Sequence, residues 1–369
     1  MKQKFDVVIL GGGPAGASAS ISLLKKGYSV ALIEKSDYSE TRIGETIQPQ
    51  ISTLLNHLEI TNEIFHQHLP SNAIQSVWGA PALKENNFFI SPFSHGWHLN
   101  RLKFDKQLID HAEKTGVTLF THSLIKTITQ PDSGNWCIRF LNQNHIQTID
   151  ARFIIDATGR SSLLVKNQGG MRKNIDHLIG LVTIQETNCE CKQTNFTLIE
   201  SVKTGWWYSA DIPGNKTVVA YMTDADLYKK ESCKKEDFFN RLFSKTKYTK
   251  EKSSGSKPCN IGMHAANSYL MSKTHGKNWI AIGDAAMAYD PLSSQGIYKA
   301  IKSGISSAKL INEHFNGNSF ALANYSNSLN AAFEKYLQQR KLYYGDEKRW
   351  PGALFWKRRH TDIKNKADR

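Results

Sequence analysis

The amino-acid sequence predicts an α/β fold that combines a buried parallel sheet, an inserted antiparallel β-rich segment and C-terminal helices. Three observations lead to this prediction. The chain begins with a short apolar run, a glycine-rich turn and a segment whose apolar residues have helical spacing. From about residue 166 to 257 apolar and polar residues alternate, which is typical of an antiparallel sheet. The segment NWIAIGDAAMAYDP then returns to a buried strand and a glycine turn before a long helix.

The first unit has the order of elements that binds a dinucleotide. FDVVIL is a continuous apolar run, as expected of a parallel strand covered on both faces, and YSVALIEK forms a second strand after the helix. Between them lies the pattern G-x-G-x-x-G, formed by Gly11, Gly13 and Gly16. The first glycine permits the tight turn, the second lets a pyrophosphate approach the backbone, and the third lets helix and strand pack closely. The sequence therefore predicts a Rossmann-type domain.

Neighbouring residues complete the predicted cofactor site of this unit. Glu34 ends the second strand at roughly the 20-residue distance expected of an acid that binds ribose hydroxyls. The helix N-terminus offers free N–H groups and a positive dipole end to the phosphates. The remaining predicted contacts are the first residues of the helix and the neighbour of the acid, Pro14, Ala15 and Lys35.

A second glycine turn, late in the chain, favours FAD over NAD as the ligand. An acid directly after a buried strand can accept a hydrogen bond from a ribityl hydroxyl. The helix that follows is predicted to begin between residues 294 and 297, and its first amides can stabilise negative charge on a flavin ring. The residues of this motif predicted to bind FAD are Gly283, Asp284, Asp290, Pro291, Gly296 and Ile297.

Three motifs carry a family resemblance. GGGPAG, DATGRS (residues 156–161) and GDAA…DP resemble, in order and spacing, those of FAD-dependent group A monooxygenases, flavin-dependent halogenases and geranylgeranyl-reductase-like proteins. The resemblance runs from residue 5 to about residue 310. It implies FAD as cofactor, O2 as co-substrate, and NAD(P)H or an external reductase as electron donor. It also implies that FAD is contacted by Arg101, in LNRLKFD, and by Glu45, in GETIQP, an element similar to one near the flavin ring of halogenases.

The resemblance further implies that the chain is divided into three parts. The FAD-binding domain would comprise residues 1–70, 98–165 and 258–315, and the inserted substrate domain residues 71–97 and 166–257. Residues 316–369 would form a C-terminal helical region, with a helix over about 319–339 and a basic tail. No separate NAD(P)H-binding domain is expected.

Details within the motifs separate several activities. Ser293 stands where tryptophan halogenases carry an acid, and WWYSADIP stands where they carry W-x-W-x-I-P. Lys84 is a candidate for the lysine that receives hypohalous acid in halogenases, although a solvated lysine is the commoner arrangement. GWWYSADIPGNKTVVAYMTDADL and DPLSSQGIYKA are similar instead to flavoprotein maturases, which modify tryptophan in precursors of quinone-cofactor enzymes such as glycine oxidase and lysine oxidase.

The leading hypothesis is an FAD-dependent monooxygenase that acts on an aromatic ring, with a protein tryptophan as the substrate. The alternatives left open are a flavin-dependent halogenase, a prenyl reductase and a non-catalytic flavoprotein chaperone of a precursor protein. Trp206 and Trp207 would face opposite sides of a strand, one in the core and one toward the flavin, with Tyr208 at the pocket rim. Packing by both indoles is the alternative. With Ser294, the two tryptophans are the predicted catalytic residues.

Composition and charge limit the partners. The formal net charge is +14, and residues 335–369 carry eleven Lys or Arg against four Asp or Glu. Such a tail can bind an acidic precursor protein, an anionic membrane surface or nucleic acid, or it can be merely solvated. Nucleic acid is not expected, because RNP-type aromatics and zinc-finger spacing are absent from the sequence. No apolar run approaches the roughly 20 residues that a transmembrane helix needs.

Cysteine usage indicates the cellular compartment. The chain has five cysteines with no framework spacing, which fits a reducing cytoplasm. Cys189 and Cys191 form C-x-C, but a functional dithiol or metal site usually brings more ligands, so no metal is predicted. The oligomeric state is not predicted.

Overall fold

The structure of the chain is a computed structural model that describes residues 2–40, 42–88, 92–130, 134–186, 194–231, 233–253 and 258–361. The C-x-C pair at Cys189 and Cys191 lies outside these residues, as does the end of the basic tail. The helices are α1 (Pro14–Leu24), α2 (Ile51–His57), α3 (Arg101–Thr115), α4 (Leu163–Asn167), α5 (Ala225–Lys229), α6 (Lys235–Phe243), α7 (Tyr248–Lys252), α8 (Gly296–Phe315), α9 (Ala321–Gly345) and α10 (Leu354–His360).

The strands belong to two large sheets and two small three-stranded ones. They are β1 (Gln3–Leu10), β2 (Val30–Ile33), β3 (Thr46–Ile47), β4 (Leu69–Ser71), β5 (Ala73–Val77), β6 (Lys84–Asn87), β7 (Gly96–His98), β8 (Thr118–Phe120), β9 (Ser123–Thr129), β10 (Trp136–Asn142), β11 (His145–Asp156), β12 (Arg172–Asn174), β13 (Leu178–Glu186), β14 (Phe196–Val202), β15 (Gly205–Ile212), β16 (Lys216–Asp224), β17 (Gly262–Ala265), β18 (Tyr269–Met271), β19 (His275–Gly276), β20 (Trp279–Ala281) and β21 (Met287–Ala288).

The apolar run near the N-terminus forms β1, at the centre of the first large sheet. β1 pairs in parallel with β2 and β11, and the sheet extends to β8 on one side and β20 on the other. Val7 and Ile9 pack in the cluster that includes side chains of α1, α3 and α8, whereas Val8 and Leu10 pack in the cluster that includes β10 and α9. Both faces are therefore covered, which explains the continuous apolar pattern and confirms the predicted parallel sheet.

The register of this sheet brings the three glycine turns together. Leu10 at the end of β1 pairs with Asp156 at the end of β11, and Asp156 pairs with Ala281 at the end of β20. The turns that follow these strands therefore leave the same edge of the sheet. Ligands of open α/β sheets bind outside the carboxyl ends of the strands, so this edge is the expected ligand side.

The second large sheet has seven strands in the order β17-β13-β16-β15-β14-β5-β6. All of its pairings are antiparallel except that of β14 with β5, as the alternating pattern predicts. Helix α6 covers one face through Phe238 and Phe239, whereas Phe355 and Trp356 of α10 pack on the other. The WWY segment lies in β15, within this sheet.

Helix α9 joins the two large sheets. Its side chains Leu329, Phe333 and Tyr336 pack in the cluster beneath β1, whereas Tyr344 packs in the cluster on the second sheet. The helix continues to Gly345, beyond the predicted end near residue 339, and one face of its last turns, with Arg340 and Tyr344, is buried. None of the helices in the described ranges combines the length and the apolar character needed to cross a membrane.

Candidate functional site

The three glycines of the G-x-G-x-x-G pattern have different surroundings. Gly11 has a φ of 99°, and an added Cβ atom would lie 2.5 Å from the carbonyl oxygen of Ala157. At Gly16 an added Cβ would lie 1.9 Å from the carbonyl oxygen of Gly11. At Gly13 the first described atom that it would meet is Nη1 of Arg42, at 3.7 Å. The turn itself thus requires the first and third glycines, whereas a ligand can approach the backbone of the second.

The two glycine turns of the predicted site are in contact. An added Cβ at Gly283 would lie 3.1 Å from Cβ of Ala15, in the first turn of α1, which Pro14 opens. An added Cβ at Gly304 would lie 2.5 Å from the carbonyl oxygen of Ala15, so α1 and α8 pack backbone to backbone. Gly296, the first residue of α8, precedes this contact by roughly 12 Å of helix. The N-termini of both helices therefore belong to one extended site.

The DATGR segment supports the first turn. Asp156 is fully buried, and its carboxylate accepts hydrogen bonds from the N–H groups of Thr158 (3.0 Å), Leu164 (2.8 Å) and Val165 (3.1 Å). The last two donors lie in the first turn of α4, where an acidic group is favourable. Asp156 therefore shapes the loop that packs on Gly11 and is shielded from any ligand.

An ion-pair network surrounds Glu34. Its carboxylate accepts hydrogen bonds from the Gly12 N–H (2.6 Å) and from Nη2 of Arg42 (3.3 Å). Arg42 also donates to Asp105 (3.2 Å), and Asp105 is held at two points by Nε and Nη2 of Arg101, both at 3.1 Å. Neither Arg42 nor Asp105 was predicted from the sequence: Arg42 belongs to no motif, and Asp105 ends the LNRLKFD segment without a sign of its role, because only the fold brings both residues to Glu34.

Arg101 is hydrogen-bonded to the loop that leads into the GETIQP element. Its Nη1 donates to the carbonyl oxygens of Ile43 (2.8 Å) and Gly44 (3.0 Å), directly before the predicted contact Glu45. Arg101 thus fixes the start of the GETIQP element, whereas the predicted contact Lys35 is exposed to solvent at the end of β2.

The acid of the GDAA turn pairs with a lysine that sequence analysis missed. Oδ1 of Asp284 lies 2.8 Å from Nζ of Lys299, and Nε of Arg160 lies 3.9 Å from Oδ2. Burial by itself would raise the pKa of Asp284, but these two cations outweigh it and hold the pKa below its usual range. The side chain of Asp284 is one-third exposed, at 33%, so its carboxylate can still accept a hydrogen bond from a ligand.

The prediction that Asp290 binds the cofactor is wrong. This side chain is 1% exposed, and its oxygens accept hydrogen bonds from the Leu292 N–H (3.0 Å), Tyr344 Oη (2.8 Å) and Arg340 Nε (3.3 Å). Its carboxylate is therefore used within the protein. The neighbouring Pro291 is exposed and opens the short helical turn that leads to α8.

The start of α8 is open to a ligand. Gly296 is exposed, and an added Cβ there meets no described atom within 4 Å. Ile297 follows it as a buried residue of the first turn, and Ser294 precedes it in a left-handed conformation with φ 48°. The backbone amides at the beginning of α8 can therefore receive a ligand atom that carries negative charge.

A hydrogen-bonded network joins the GETIQP element to the second sheet. Thr46 Oγ1 lies 2.7 Å from Tyr208 Oη and 3.0 Å from Thr197 Oγ1, which lies 2.9 Å from Nε2 of His98. Tyr208 Oη also donates to the Glu45 carboxylate at 3.5 Å. Burial raises the pKa of Glu45 and lowers that of His98 to about 4, so the imidazole is neutral at pH 7.

The prediction that Trp206 or Trp207 lines a pocket toward the flavin is wrong. The two indoles face opposite sides of β15, as expected of neighbours in a strand, but they are 1% and 0% exposed. A side chain that lines a cavity of water size keeps accessible surface, so both are packing residues. Trp206 donates from Nε1 to Tyr344 Oη (3.0 Å), and Trp207 packs against Phe239 of α6.

Tyr208 is the half-buried member of the WWY segment. Lys84 and Ser293, the two residues compared with halogenases, lie elsewhere in the sequence and in the fold. Lys84 is exposed in β6, the outermost strand of the second sheet, opposite Ser76. Ser293 donates from Oγ to the carbonyl oxygen of Asp290 (2.8 Å). Lys84 is therefore solvent-exposed, and the Ser293 hydroxyl is bonded within the turn that leads to α8.

These surroundings fit FAD. The backbone at Gly13 and Gly296 is approachable at the N-termini of two helices that share one edge of the sheet, which suits a diphosphate and an electron-rich ring. The partly exposed carboxylate of Asp284 lies at the turn between them and suits a sugar hydroxyl.

Comparison with known proteins agrees with this assignment. A family model described as FAD binding domain matches residues 4–339. A protein of Marinomonas mediterranea named FAD-dependent oxidoreductase LodB is 29% identical over 365 residues, which cover 97% of this chain and 98% of that protein. A 1H-pyrrole-2-carbonyl-(peptidyl-carrier protein) brominase of Pseudoalteromonas luteoviolacea is 26% identical, with 86% of this chain and 79% of that protein covered.

Solved structures share the fold. The flavin-dependent halogenase CmlS superimposes with a TM-score of 0.87 at 23% identity, over 98% of this chain and 68% of that one. QhpG, described as a peptidyl tryptophan dihydroxylase essential for tryptophylquinone cofactor biogenesis, superimposes with a TM-score of 0.79 at 22% identity, over 96% and 78%. The chain belongs to the FAD binding domain family and is an FAD-dependent oxidoreductase of the flavin monooxygenase and halogenase group.

Proposed function

We propose that the protein is an FAD-dependent monooxygenase that hydroxylates an aromatic ring, and that this ring is a tryptophan side chain of a partner polypeptide. Two similarities support the proposal. A relative that matches over nearly its whole length is named an oxidoreductase, and QhpG, which shares the fold, is described as acting on peptidyl tryptophan. The proposal extends both similarities to the substrate of this chain.

The position of Lys84 is the observation that favours oxygen transfer over halogen transfer. An amine that carries a reactive halogen to a substrate has to be shielded from water, because water would consume the halogenating species. Lys84 is instead exposed on the outermost strand, opposite Ser76. Ser293, which stands where halogenases carry an acid, has a hydroxyl that donates to the Asp290 carbonyl oxygen at 2.8 Å, so this position offers no carboxylate.

Bound FAD, once reduced, would supply the electrons that activate O2. The chain's own residues would bind and orient the ring. Tyr208 Oη, which lies 2.7 Å from Thr46 Oγ1 and donates its proton to Glu45, can accept a hydrogen bond from a polar hydrogen of the substrate. Burial raises the pKa of the Glu45 carboxyl beside it, so Glu45 holds a proton more tightly than a solvated acid. The amides at the start of α8 would stabilise negative charge.

The charge of the chain supports a polypeptide substrate with acidic character. The net charge is +14, and an excess of positive charge of this size raises the association rate with a negatively charged partner. We include an acidic precursor protein in the proposal for this reason. NAD(P)H or a separate reductase is proposed as the electron donor.

The test uses the FAD-loaded protein with NADH, a flavin reductase, isotopically labelled O2 and three probes. The probes are N-acetyl-tryptophanamide, an acidic peptide with one tryptophan, and a basic peptide with the same tryptophan. We expect mass spectrometry to show labelled oxygen on the indole, with the acidic peptide as the best probe at low salt. Failure of all three probes to gain oxygen, while NADH is consumed, would contradict the proposal.

Halogenation is the second candidate, since several relatives are named brominases, chlorinases or halogenases. The same probes are incubated with chloride or bromide in place of halide-free buffer. Halogenated indole that is lost in Lys84→Ala would establish this function and overturn hydroxylation. Lys216→Ala is the matched control, because Lys216 is also exposed at the end of a strand of the same sheet.

A further inference from the structure

Helix α9 presents three polar side chains to one acidic residue. Tyr336 Oη accepts a hydrogen bond from the Asp290 N–H at 2.8 Å, Arg340 Nε donates to Oδ2 at 3.3 Å, and Tyr344 Oη donates to Oδ2 at 2.8 Å. Residues four apart lie on one side of an α-helix, so the three groups form a single stripe. The neighbouring Tyr289 stacks on Tyr336, with ring centroids 4.0 Å apart. Backbone and side chain of Asp290 are therefore both held by α9.

The other oxygen of Asp290 acts on the path to α8. Oδ1 of Asp290 accepts a hydrogen bond from the Leu292 N–H at 3.0 Å and so caps the short turn Pro291–Ser293. Ser294 follows with φ 48°, and α8 begins at Gly296. A shift of Asp290 would therefore move the turn and with it the first amides of α8, because only a few residues separate them.

The stripe also contacts the second sheet. Nε1 of Trp206 donates to Tyr344 Oη at 3.0 Å, and the single hydroxyl proton of Tyr344 is then directed at Asp290. Trp206, Tyr344 and Asp290 thus form one continuous chain of donors and acceptors. This chain leads from β15 of the second sheet to the turn that precedes α8.

We propose that Tyr336, Arg340 and Tyr344 are positioning residues, which hold the N-terminus of α8 at the flavin ring and thereby tune FAD affinity and reduction potential. The inference rests on the assignment of the α8 N-terminus to the flavin side of the site. It does not depend on the substrate, so oxygen transfer can fail while this inference holds.

Arg340 has a second partner that strengthens the assignment. Its Nη2 donates to Asp176 at 2.9 Å, so one guanidinium spans two carboxylates and its orientation is fixed. A lysine at this position keeps the charge but cannot reach both acids with the same planar geometry. Arg340→Lys should therefore retain part of the positioning that Arg340→Met loses.

The experiment compares Tyr344→Phe, Arg340→Met and Arg340→Lys with the control Tyr221→Phe. Tyr221 is also a fully buried tyrosine whose hydroxyl is hydrogen-bonded, to Thr204 at 2.6 Å, but it faces α6 on the far side of the second sheet. The measurements are the Kd for FAD, the flavin midpoint potential and the thermal unfolding temperature, none of which requires substrate.

We expect Tyr344→Phe to weaken FAD binding about 5-fold, the size of one net hydrogen bond, and to shift the midpoint potential. Arg340→Met should show larger effects, Arg340→Lys should recover part of them, and Tyr221→Phe should change neither quantity. Trp206→Phe, which removes the donor to Tyr344 together with part of a buried ring, should shift the potential in the same direction by less. Folded variants with the unaltered Kd and potential would overturn the proposal, as would equal shifts in Tyr221→Phe.

Discussion

Nζ of Lys299 lies 2.8 Å from Oδ1 of Asp284, so a cation of α8 pairs with the acid of the glycine turn that precedes the helix. Lys299 is 8% exposed and also donates to the carbonyl oxygen of Met287. Removal of one partner from a buried pair leaves the other charge uncompensated. The pair also places a positive charge beside the part of the site assigned to FAD.

Lys299→Met should lower the midpoint potential of the bound flavin, because a nearby positive charge favours the reduced, more negative state. For a two-electron couple, a loss of about 1.4 kcal/mol corresponds to a shift of roughly 30 mV. Lys302→Met is the control, since Lys302 is exposed on the same helix. Equal potentials in the two variants would contradict the assigned role of Lys299.

Gly13→Ala and Gly16→Ala should fail for different reasons. An added Cβ at Gly13 first meets Arg42 Nη1 at 3.7 Å, so the variant should fold normally but bind FAD at least about 10-fold more weakly. At Gly16 the added Cβ would lie 1.9 Å from the carbonyl oxygen of Gly11, so this variant should lose stability. Circular dichroism, thermal unfolding and FAD titration separate the two outcomes. Full FAD content in Gly13→Ala would refute the phosphate assignment.

Trp207→Ala should reduce the free energy of unfolding by about 3–5 kcal/mol, as expected for a large aromatic side chain removed from a core. The indole is 0% exposed and packs on Tyr221 and Phe239. Trp207→Phe, a smaller change, should keep FAD and the coupling of NADH consumption to product. Denaturant titration gives the stability. Peroxide release from a stably folded Trp207→Phe would restore this residue to the pocket.

Tyr208→Phe should act on coupling rather than on folding. The hydroxyl joins Thr46 at 2.7 Å and the Glu45 carboxylate at 3.5 Å, in the half-buried part of the site. Its loss should raise peroxide release several-fold while FAD stays bound, because the substrate loses an orienting group. The measurement is the ratio of peroxide to NADH consumed. An unchanged ratio with a productive probe would remove Tyr208 from the site.

The buried imidazole of His98 should make the protein sensitive to acid. Burial lowers its pKa from 6.5 to about 4, so between these values the unfolded chain binds a proton that the folded protein does not. Stability due to this group is therefore complete above pH 6.5 and declines toward pH 4, by up to about 3 kcal/mol.

Denaturant titrations at pH 7 and pH 4.5 test this dependence. His98→Gln should lose less stability between the two values than the unaltered protein, because the acid-sensitive group is gone. His122→Gln, at an exposed histidine, is the matched control and should behave like the unaltered protein. Equal losses in all three proteins would contradict the prediction.

Much of the fold follows from local patterns in the sequence. Continuous apolar runs predict β1 and β11, alternating segments predict the antiparallel sheet, and G-x-G-x-x-G predicts the turn before α1. These features depend on the chemistry of a few neighbouring residues. The start of α8 at Gly296 falls within the predicted range for the same reason.

Tertiary structure decided which side chains reach the site. Alternation along β15 places Trp206 and Trp207 on opposite faces, but what covers each face depends on α10 and α6, which are distant in sequence. The Asp-Pro pattern predicts Asp290 as a ligand of the cofactor, but Arg340 and Tyr344 of α9 donate hydrogen bonds to its carboxylate. The partners in these side-chain pairs are 15 to 54 positions apart in the sequence, so they leave no local pattern, whereas turns and strands do. For this reason the sequence determined the FAD fold, and the packing of the helices decided which side chains form its site.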